Sequence, residues 1–342
     1  MIRVGITGIG FMGMIHYLAY QNVPGVEVVA FCEKYNKERL NGDWTSIKGN
    51  FGPQGTMMDM SKFARYTELE DLIADPNVDM VDICLPPNQH CDATIACLKG
   101  GKHVFCEKPI ALKSEEGKAM AQTAEETGKM LNIGHVLPFF PQFRFLIEAR
   151  ESGKWGKLLG GNFSRVISDP QWLPKFFDMD VVGGPMLDLH IHDAHFIRYF
   201  FGMPKAVQGV GRCRGNVPEY FNVQYLYDDP DYTVTATSGI IKQQGRPFTF
   251  GFEVHFEKAT VLTECFNETP LTVLHEDGTV ERPELPGGSD TLPFENEIAE
   301  VVRCVSSGEK SSLLDGQLAS DAVSLCHKEI EAIVSKRPVS IS

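Results

Sequence analysis

The stretch Met1-Ile-Arg-Val-Gly-Ile-Thr-Gly-Ile-Gly-Phe-Met-Gly13 decides the fold of this chain. It begins as a short apolar strand and runs through G-x-G-x-x-G into a helix-like segment at residues 14–21. In a dinucleotide-binding turn the first glycine allows a tight turn, the second lets the backbone approach a pyrophosphate, and the third lets helix and strand pack closely. The helix N-terminus offers unpaired N–H groups to the phosphates. The residues predicted to surround the phosphates are Gly8, Gly10, Phe11, Met12 and Gly13.

A carboxylate stands where such a fold binds the ribose. Residues 26–32 read as the second strand, and Glu33 ends it twenty residues after Gly13. A carboxylate there accepts hydrogen bonds from ribose hydroxyls and repels a 2′-phosphate, which favours NAD over NADP. The alternative is that Glu33 is simply a solvated residue at the end of a strand. The nearby cations Lys34, Lys37 and Arg39 would weaken the discrimination against NADP. We therefore predict NAD, with NADP left open.

Composition excludes several classes of partner. The 342 residues carry a net charge of −13, which argues against binding to nucleic acid or to an anionic membrane surface. No apolar run approaches the roughly 18 residues of a spanning helix, and the chain begins directly with a strand. The nine cysteines are scattered without a C-x-x-C pair, which is typical of reduced thiols in the cytoplasm.

The element pattern predicts two domains. Up to residue 136, strands alternate with helices, which indicates a doubly wound parallel sheet with its ligand at the carboxyl ends of the strands. From residue 137, strands follow one another apart from a helical stretch at 183–201, and helices close the chain at 295–306 and 318–336. We expect an N-terminal Rossmann domain at 1–136 and a C-terminal α/β domain at 137–342 with an open, mainly antiparallel sheet.

Two strand exits in the first domain carry polar residues. One strand is predicted at 78–85 and another at 103–106, and their exits would line the cofactor cleft or cap the next helix. The residues assigned to these exits are Leu85, Pro86, Asn88, His90, Glu107 and Lys108.

These motifs together resemble the Gfo/Idh/MocA family of oxidoreductases, relatives of glucose-fructose oxidoreductase and inositol dehydrogenase. The resemblance rests on Gly8-x-Gly10-x-x-Gly13, Leu85-Pro-Pro-Asn-Gln-His90, Glu107-Lys-Pro109, Trp172, Gly183-Gly-Pro-Met-Leu-Asp-Leu-His-Ile-His192 and the segment from Phe294 to Gly316. It implies an NAD(P)-dependent dehydrogenase acting on a sugar, cyclitol or related polyol. It also implies a cis bond before Pro109 and a second-domain sheet used for substrate and oligomer contact, hence a homo-oligomer.

The residues that would carry the chemistry are Lys108, Asp188 and His192. A cation at Lys108, its backbone restricted by the following proline, can hold a substrate oxygen and stabilise negative charge on it. Asp188, His192 and His195 fall at i, i+4 and i+7, so a regular helix presents them on one face. The carboxylate can then fix the tautomer of His192, which suits that imidazole as general base. The family resemblance implies these same roles.

Other residues leave alternatives open. His135, Trp172 and His195 are candidate substrate contacts, and Trp172 is equally a lid or core residue. His195, Pro185 and Pro138 depart from the family pattern near the substrate, so its identity stays open. A divalent metal bound by the histidines and carboxylates of 188–195 is a rival interpretation, although we predict no metal.

Two rival functions also remain. One is an enzyme that retains its NAD and performs elimination or hydrolysis through a transient keto sugar, with or without a metal. The other is a non-catalytic regulator that senses the nucleotide, for which Lys108, Asp188 and His192 would be superfluous.

Overall fold

The computed structural model describes residues 1–49, 51–171, 173, 175–264 and 271–341. The strands are β1 (Ile2–Thr7), β2 (Val26–Cys32), β3 (Ala64–Tyr66), β4 (Met80–Ile83), β5 (His103–Glu107), β6 (Leu131–Gly134), β7 (Leu158–Ser168), β8 (Ala206–Arg214), β9 (Val217–Leu226), β10 (Thr233–Ile241), β11 (Thr249–Phe256), β12 (Ala259–Glu264), β13 (Thr272–His275), β14 (Val280–Glu281) and β15 (Val339–Ser340). The α-helices are α1 (Phe11–Tyr20), α2 (Lys37–Leu40), α3 (Leu69–Ala74), α4 (His90–Lys99), α5 (Ser114–Thr127), α6 (Pro141–Ser152), α7 (Ile191–Phe201), α8 (Leu292–Ser307) and α9 (Gly316–Ser335).

The chain forms two compact units. The first unit comprises Met1–Phe139 and Gly288–Ser320, and the second comprises Phe140–Gly287 and Asp321–Ser342. The sequence-based division at residues 136 and 137 assigns 288–320 to the second domain, whereas these residues pack with the first unit. The cause is the apolar face of α8, where the buried Phe294 lies against His16 of α1 with ring centroids 6.2 Å apart. An amphipathic pattern predicts that a helix packs, but not on which core.

The first unit is built on a six-stranded parallel sheet with strand order β3-β2-β1-β4-β5-β6. Val4 and Ile6 of β1, and Met80, Val81 and Ile83 of β4, are completely buried, as expected for central strands covered on both faces. The order of the strands reverses between β1 and β4, and ligands of such sheets bind at that switch point, beyond the carboxyl ends of the strands. The predicted doubly wound fold is confirmed.

Local predictions in the first unit were less accurate. Thr67 and Glu70 have the spacing of a capping box, which predicts a helix that begins after Thr67; this is wrong, because α3 begins at Leu69 with Glu68 as its N-cap and without a side-chain cap. The polar stretch 36–51 predicts a helix and a loop, and its helical part is the single turn of α2, capped by the Asn36 side chain. Short polar segments offer little periodicity, so their boundaries depend on tertiary contacts.

The second unit is built on a nine-stranded sheet with order β14-β13-β12-β11-β7-β10-β9-β8-β15. Its neighbours pair antiparallel except β7 and β10, which are parallel. The mainly antiparallel sheet is therefore as predicted. The last strand that the sequence predicts, at 260–266, ends with residues 265 and 266, which lie outside the described residues. Helices α6 and α7 cover one face, where Phe143, Phe163 and Phe196 pack against one another in the core.

None of the helices in the described ranges combines the length and the apolar character that a membrane crossing requires.

Candidate functional site

The glycines of the first turn divide into two kinds. Gly8 has φ +90°, and a Cβ there would lie 2.6 Å from the carbonyl oxygen of Cys84. A Cβ on Gly13 would lie 2.2 Å from the carbonyl oxygen of Gly8. Around Gly10, by contrast, no atom of the described residues lies within 4 Å of the Cβ position. The first and third glycines therefore serve the fold, whereas the second leaves open space beside the backbone.

That space lies at the N-terminus of α1. Gly10 is the N-cap and supplies no side chain to the first-turn amides, which include those of Phe11 and Met12. Backbone N–H groups at a helix N-terminus with room beside them form a site for a pyrophosphate. The residues present therefore fit a dinucleotide, with Phe11 and Met12 both half-buried at the rim.

Glu33 follows β2 and also ties the phosphate turn to it. Its Oε2 accepts the Ile9 N–H at 2.9 Å, and its Oε1 accepts the amides of Tyr35 and Asn36 at 3.0 and 3.1 Å. A carboxylate has about four acceptor positions, so one remains for a ribose hydroxyl. Arg39 donates to the Ile9 carbonyl oxygen at 3.0 Å. This contact brings one of the three cations noted in the sequence to the same turn.

The exit of β4 adjoins this turn, because β1 and β4 are paired. Leu85 is half-buried, while Pro86 and Asn88 are exposed around a single 3-10 turn at Pro87–Gln89. His90 is completely buried, with Nδ1 2.8 Å from the Pro109 carbonyl oxygen and Nε2 2.8 Å from that of Leu85. Burial lowers its pKa. A neutral ring has one N–H, so it donates to one of these two carbonyl oxygens and only contacts the other. This differs from the direct cofactor contact that we predicted for His90.

Lys108 directly follows β5, at the same edge of the sheet. Its side chain is half-buried, and its bond to Pro109 is cis, as the resemblance implied. Glu107, the last residue of β5, is 5% exposed, and its Oε2 accepts the backbone N–H of Lys108 at 3.0 Å. Glu107 was predicted to contact the cofactor, but its carboxylate is committed to the protein interior.

The helical segment of the second unit departs from a regular α-helix. Met186–His190 form one π-helical turn, which leads directly into α7. Asp188 and His192 are half-buried, whereas His195 is completely buried. The π-turn changes the angular spacing within this segment, so the regular-helix spacing from which a shared face was predicted does not hold through it. Asp188 and His192 remain the accessible pair, and turns of this kind are frequent at functional sites.

Two buried polar contacts hold this segment, and the sequence reading missed one of them. Arg165 of β7 binds Asp193 through two hydrogen bonds of 2.6 and 3.1 Å, both side chains being buried. A lone arginine within an apolar strand was the available signal. His190 points away from the predicted face of Asp188 and His192 on a regular helix, which favours a core or capping role. It is buried, with its Nε2 3.0 Å from Glu329 and 3.2 Å from the Tyr225 hydroxyl.

Two predicted substrate contacts and the rival metal site remain. His135 follows β6 and is completely buried, and Trp172 lies outside the described residues. Within the described ranges, one group of metal-ligand types has its donor atoms within 4.8 Å of one another, namely His16, Asp82 and Cys84. The histidines of 188–195 do not form such a group there, so the metal site considered for that segment gains no support.

The fold and the first-unit site together define a dinucleotide-binding protein of the oxidoreductase class. Residues 2–135 match the model of an oxidoreductase family with an NAD-binding Rossmann fold, and residues 143–262 match the GFO/IDH/MocA C-terminal domain. The chain belongs to the GFO/IDH/MocA family. The predicted cofactor, NAD, agrees with that family description.

Several characterised proteins are similar to this chain. Myo-inositol 2-dehydrogenase of Thermotoga maritima is 31% identical over 201 residues, covering 59% of this chain and 55% of that protein. Inositol 2-dehydrogenase of Rhizobium meliloti is 24% identical over 100% of this chain and 99% of its own length. Levoglucosan dehydrogenase, solved with NADH and levoglucosan, superposes with a TM-score of 0.83 at 19% identity over 100% of this chain and 99% of that one.

Proposed function

We propose that this protein is an NAD(P)-dependent dehydrogenase that transfers a hydride between nicotinamide and a carbinol carbon of a sugar, cyclitol or related polyol. The observation that carries the proposal is the position of Lys108 at the carboxyl end of β5, on the sheet edge where Gly10 leaves open space. The names of the relatives, two inositol dehydrogenases and a levoglucosan dehydrogenase, support the substrate class. A scyllo-inositol 2-dehydrogenase (NADP(+)) of Bacillus subtilis, 27% identical over 66% of this chain, keeps NADP open.

The proposed roles follow from the chemistry of three side chains. Bound nicotinamide supplies the hydride acceptor or donor. His192 takes the proton from the substrate hydroxyl, and Asp188 accepts the imidazole N–H and stabilises the imidazolium that forms. The ammonium group of Lys108 donates to the substrate oxygen and stabilises the negative charge that develops on it. The convergence of Lys108 with Asp188 and His192 around one substrate is part of this proposal.

A dehydrogenase assay over a polyol panel tests it. Absorbance at 340 nm is followed with NAD+ and NADP+ in parallel, using myo-inositol, scyllo-inositol and levoglucosan as substrates. Lys108→Ala and His192→Asn should lose turnover by roughly 100-fold or more while still binding NADH. Lys113→Ala, which removes an exposed lysine paired with Glu116, is the matched control and should retain full activity.

The same assay separates the rival functions. Conversion of a sugar without added nucleotide would instead indicate the NAD-retaining lyase or hydrolase. NADH binding without turnover on any member of a broad polyol panel would indicate the regulator. Full turnover in both Lys108→Ala and His192→Asn would refute the assigned roles.

We further propose that the enzyme acts in the cytoplasm as a homo-oligomer. The eight cysteines in the described ranges are free thiols, which suits a reducing compartment. One face of the second-unit sheet carries the side chains of Asn162, Asn222, Thr235 and Thr237, which hydrogen-bond in pairs across the strands. We assign the subunit contact to this polar face. Light scattering coupled to gel filtration should give a mass of at least two chains, and a monomer would exclude the assignment.

A further inference from the structure

A cluster of acidic groups around one histidine is buried in the first unit, behind the exit of β5. His16 of α1, Asp82 of β4 and Glu297 of α8 are each completely buried, and Glu107 is nearly so. Cys84, just beyond β4, completes the cluster. Three carboxyl groups thus surround a single basic group, and the roles proposed for Lys108, Asp188 and His192 do not involve any of them.

His16 links two of the carboxylates. Its Nδ1 lies at hydrogen-bond distance, 2.9 Å, from Asp82 Oδ2, and its Nε2 lies 3.1 Å from Glu107 Oε1. The ring is stacked on Phe105 of β5, with centroids 5.1 Å apart and planes 11° from parallel. The imidazole is therefore fixed in its plane and at Nδ1, while Nε2 lies at ion-pair distance from Glu107 without hydrogen-bond geometry.

The charges in the cluster can be assigned. Burial opposes a charge on His16, but the carboxylate of Asp82 outweighs it and raises the pKa of the imidazole well above its usual value. Burial, together with the charges of Glu107 and Asp82, raises the pKa of Glu297 well above its usual value. No hydrogen-bond partner of the Glu297 carboxyl group lies within the described ranges. The directions of these two shifts favour a protonated His16 and an uncharged Glu297 carboxyl group.

Glu107 connects this cluster to Lys108. Glu107 Oε2 accepts the Lys108 backbone N–H at 3.0 Å, while Oε1 faces the His16 imidazolium. Gly134 of β6 closes the third side, since a Cβ there would lie 3.2 Å from Glu107 Oε1. The Glu107 carboxylate therefore lies between the His16 ring, the Lys108 peptide N–H and strand β6.

We propose that Glu107, held by His16 and Asp82, is a positioning residue that fixes the Lys108 peptide and so aims its ammonium group. The proposal rests on the proposed function, in which Lys108 holds the substrate oxygen. A carboxylate suits this position because one oxygen accepts the Lys108 N–H and the other lies at ion-pair distance from His16 Nε2. A glutamine amide has one oxygen and one NH₂ group, so its NH₂ would face either the imidazolium or the Lys108 N–H. One of the two contacts is then lost, and the Lys108 peptide can shift.

Two isosteric substitutions in the same pocket test the proposal. Glu107→Gln removes the ionised acceptor, and we expect kcat to fall about 10- to 100-fold, as misplacement of a catalytic group does, with KM for NAD+ within about twofold. Glu297→Gln makes the same chemical change at a neutral acid and should alter both constants by less than about twofold. Glu107→Asp, which restores a carboxylate on a shorter stem, should recover part of kcat. A merely structural cluster would make the two glutamine variants equally defective, and that result would overturn the proposal.

A second measurement does not depend on turnover. Lysines are reductively methylated with ¹³C-formaldehyde, and the Lys108 signal is assigned by its absence from the spectrum of Lys108→Arg. Glu107→Gln should shift or broaden this signal and Glu297→Gln should leave it unchanged. An unaltered Lys108 signal in Glu107→Gln would overturn the positioning role, whether or not the protein oxidises a polyol. If only the proposed function is wrong, Glu107→Gln still shifts the Lys108 signal although no polyol is oxidised. One equivalent of tightly bound zinc that is lost in Cys84→Ser would also overturn it, since His16, Asp82 and Cys84 would then form a metal site.

Discussion

Substitution of single glycines by alanine separates cofactor binding from folding in the first turn. Gly10 has φ −95° and ψ −163°, an extended conformation open to any residue, and its Cβ position is free of the described atoms within 4 Å. Gly13→Ala instead places a methyl group 2.2 Å from the carbonyl oxygen of Gly8, which belongs to the backbone and cannot rotate away. The same chemical change should therefore act on binding at Gly10 and on stability at Gly13.

The magnitudes follow from these surroundings. At Gly10, loss of chain flexibility in the unfolded state contributes about 0.4–1 kcal/mol, and alanine as N-cap costs a similar amount, so stability changes by less than about 0.5 kcal/mol. If the methyl group displaces one charge-assisted hydrogen bond to a phosphate, binding loses about 1.5–3 kcal/mol, or roughly 10- to 100-fold in Kd. At Gly13 the overlap costs about 1–3 kcal/mol, which lowers Tm by about 2–4 °C per kcal/mol in a unit of this size.

Titration of NADH fluorescence and a thermal melt without nucleotide measure the two effects. We expect Gly10→Ala to keep the wild-type Tm and to bind NADH at least tenfold more weakly. The Tm of Gly13→Ala should be several degrees lower than that of the wild type. Tight NADH binding by Gly10→Ala, within about twofold of wild type, would refute the assignment of this turn to the pyrophosphate.

Three further perturbations test other parts of the account. Glu33→Gln removes the charge that repels a 2′-phosphate, so the ratio of the NADPH to the NADH dissociation constant should fall about tenfold in parallel fluorescence titrations. Arg165→Met leaves Asp193 buried without its cation and should cost about 3–5 kcal/mol in urea unfolding, whereas Arg144→Met, at an exposed ion pair, should cost under about 1 kcal/mol. The raised pKa of Glu297 means that its contribution to stability is fully present below the unfolded pKa near 4.5 and is lost as pH rises towards the folded pKa. The glutamine of Glu297→Gln does not titrate, so the urea midpoint of this variant minus that of the wild type should increase from pH 5 to pH 8. A difference that stays constant over this range would show that the pKa of the Glu297 carboxyl group is not raised.

The nucleotide-binding half was predictable because its signals are local. The spacing of Gly8, Gly10 and Gly13 and the distance to Glu33 follow from one turn and one strand, and the structure has that turn and that strand order. The polar exits of the strands were predictable for the same reason, since parallel strands end at one edge of the sheet.

Burial and partner choice were not predictable in this way. Glu107 was assigned to the cofactor because it stands at the exit of a predicted strand, yet its partner, His16, lies about ninety residues earlier in the chain. Pairing over such distances is decided by the fold, and a charge in an apolar strand only indicates that a partner exists. The π-turn before α7 could likewise not be predicted from the spacing of Asp188 and His192. Such a turn depends on how the segment packs against the rest of the second unit.

Transfer of deuterium from substrate to nicotinamide tests the central claim most directly. Myo-inositol or levoglucosan deuterated at carbon is incubated with NAD+ and the enzyme, and the reduced nucleotide is isolated for mass spectrometry. The account predicts reduced nicotinamide that carries one deuterium, and its loss in Lys108→Ala and His192→Asn. Consumption of the polyol with no deuterium in the reduced nucleotide would contradict it.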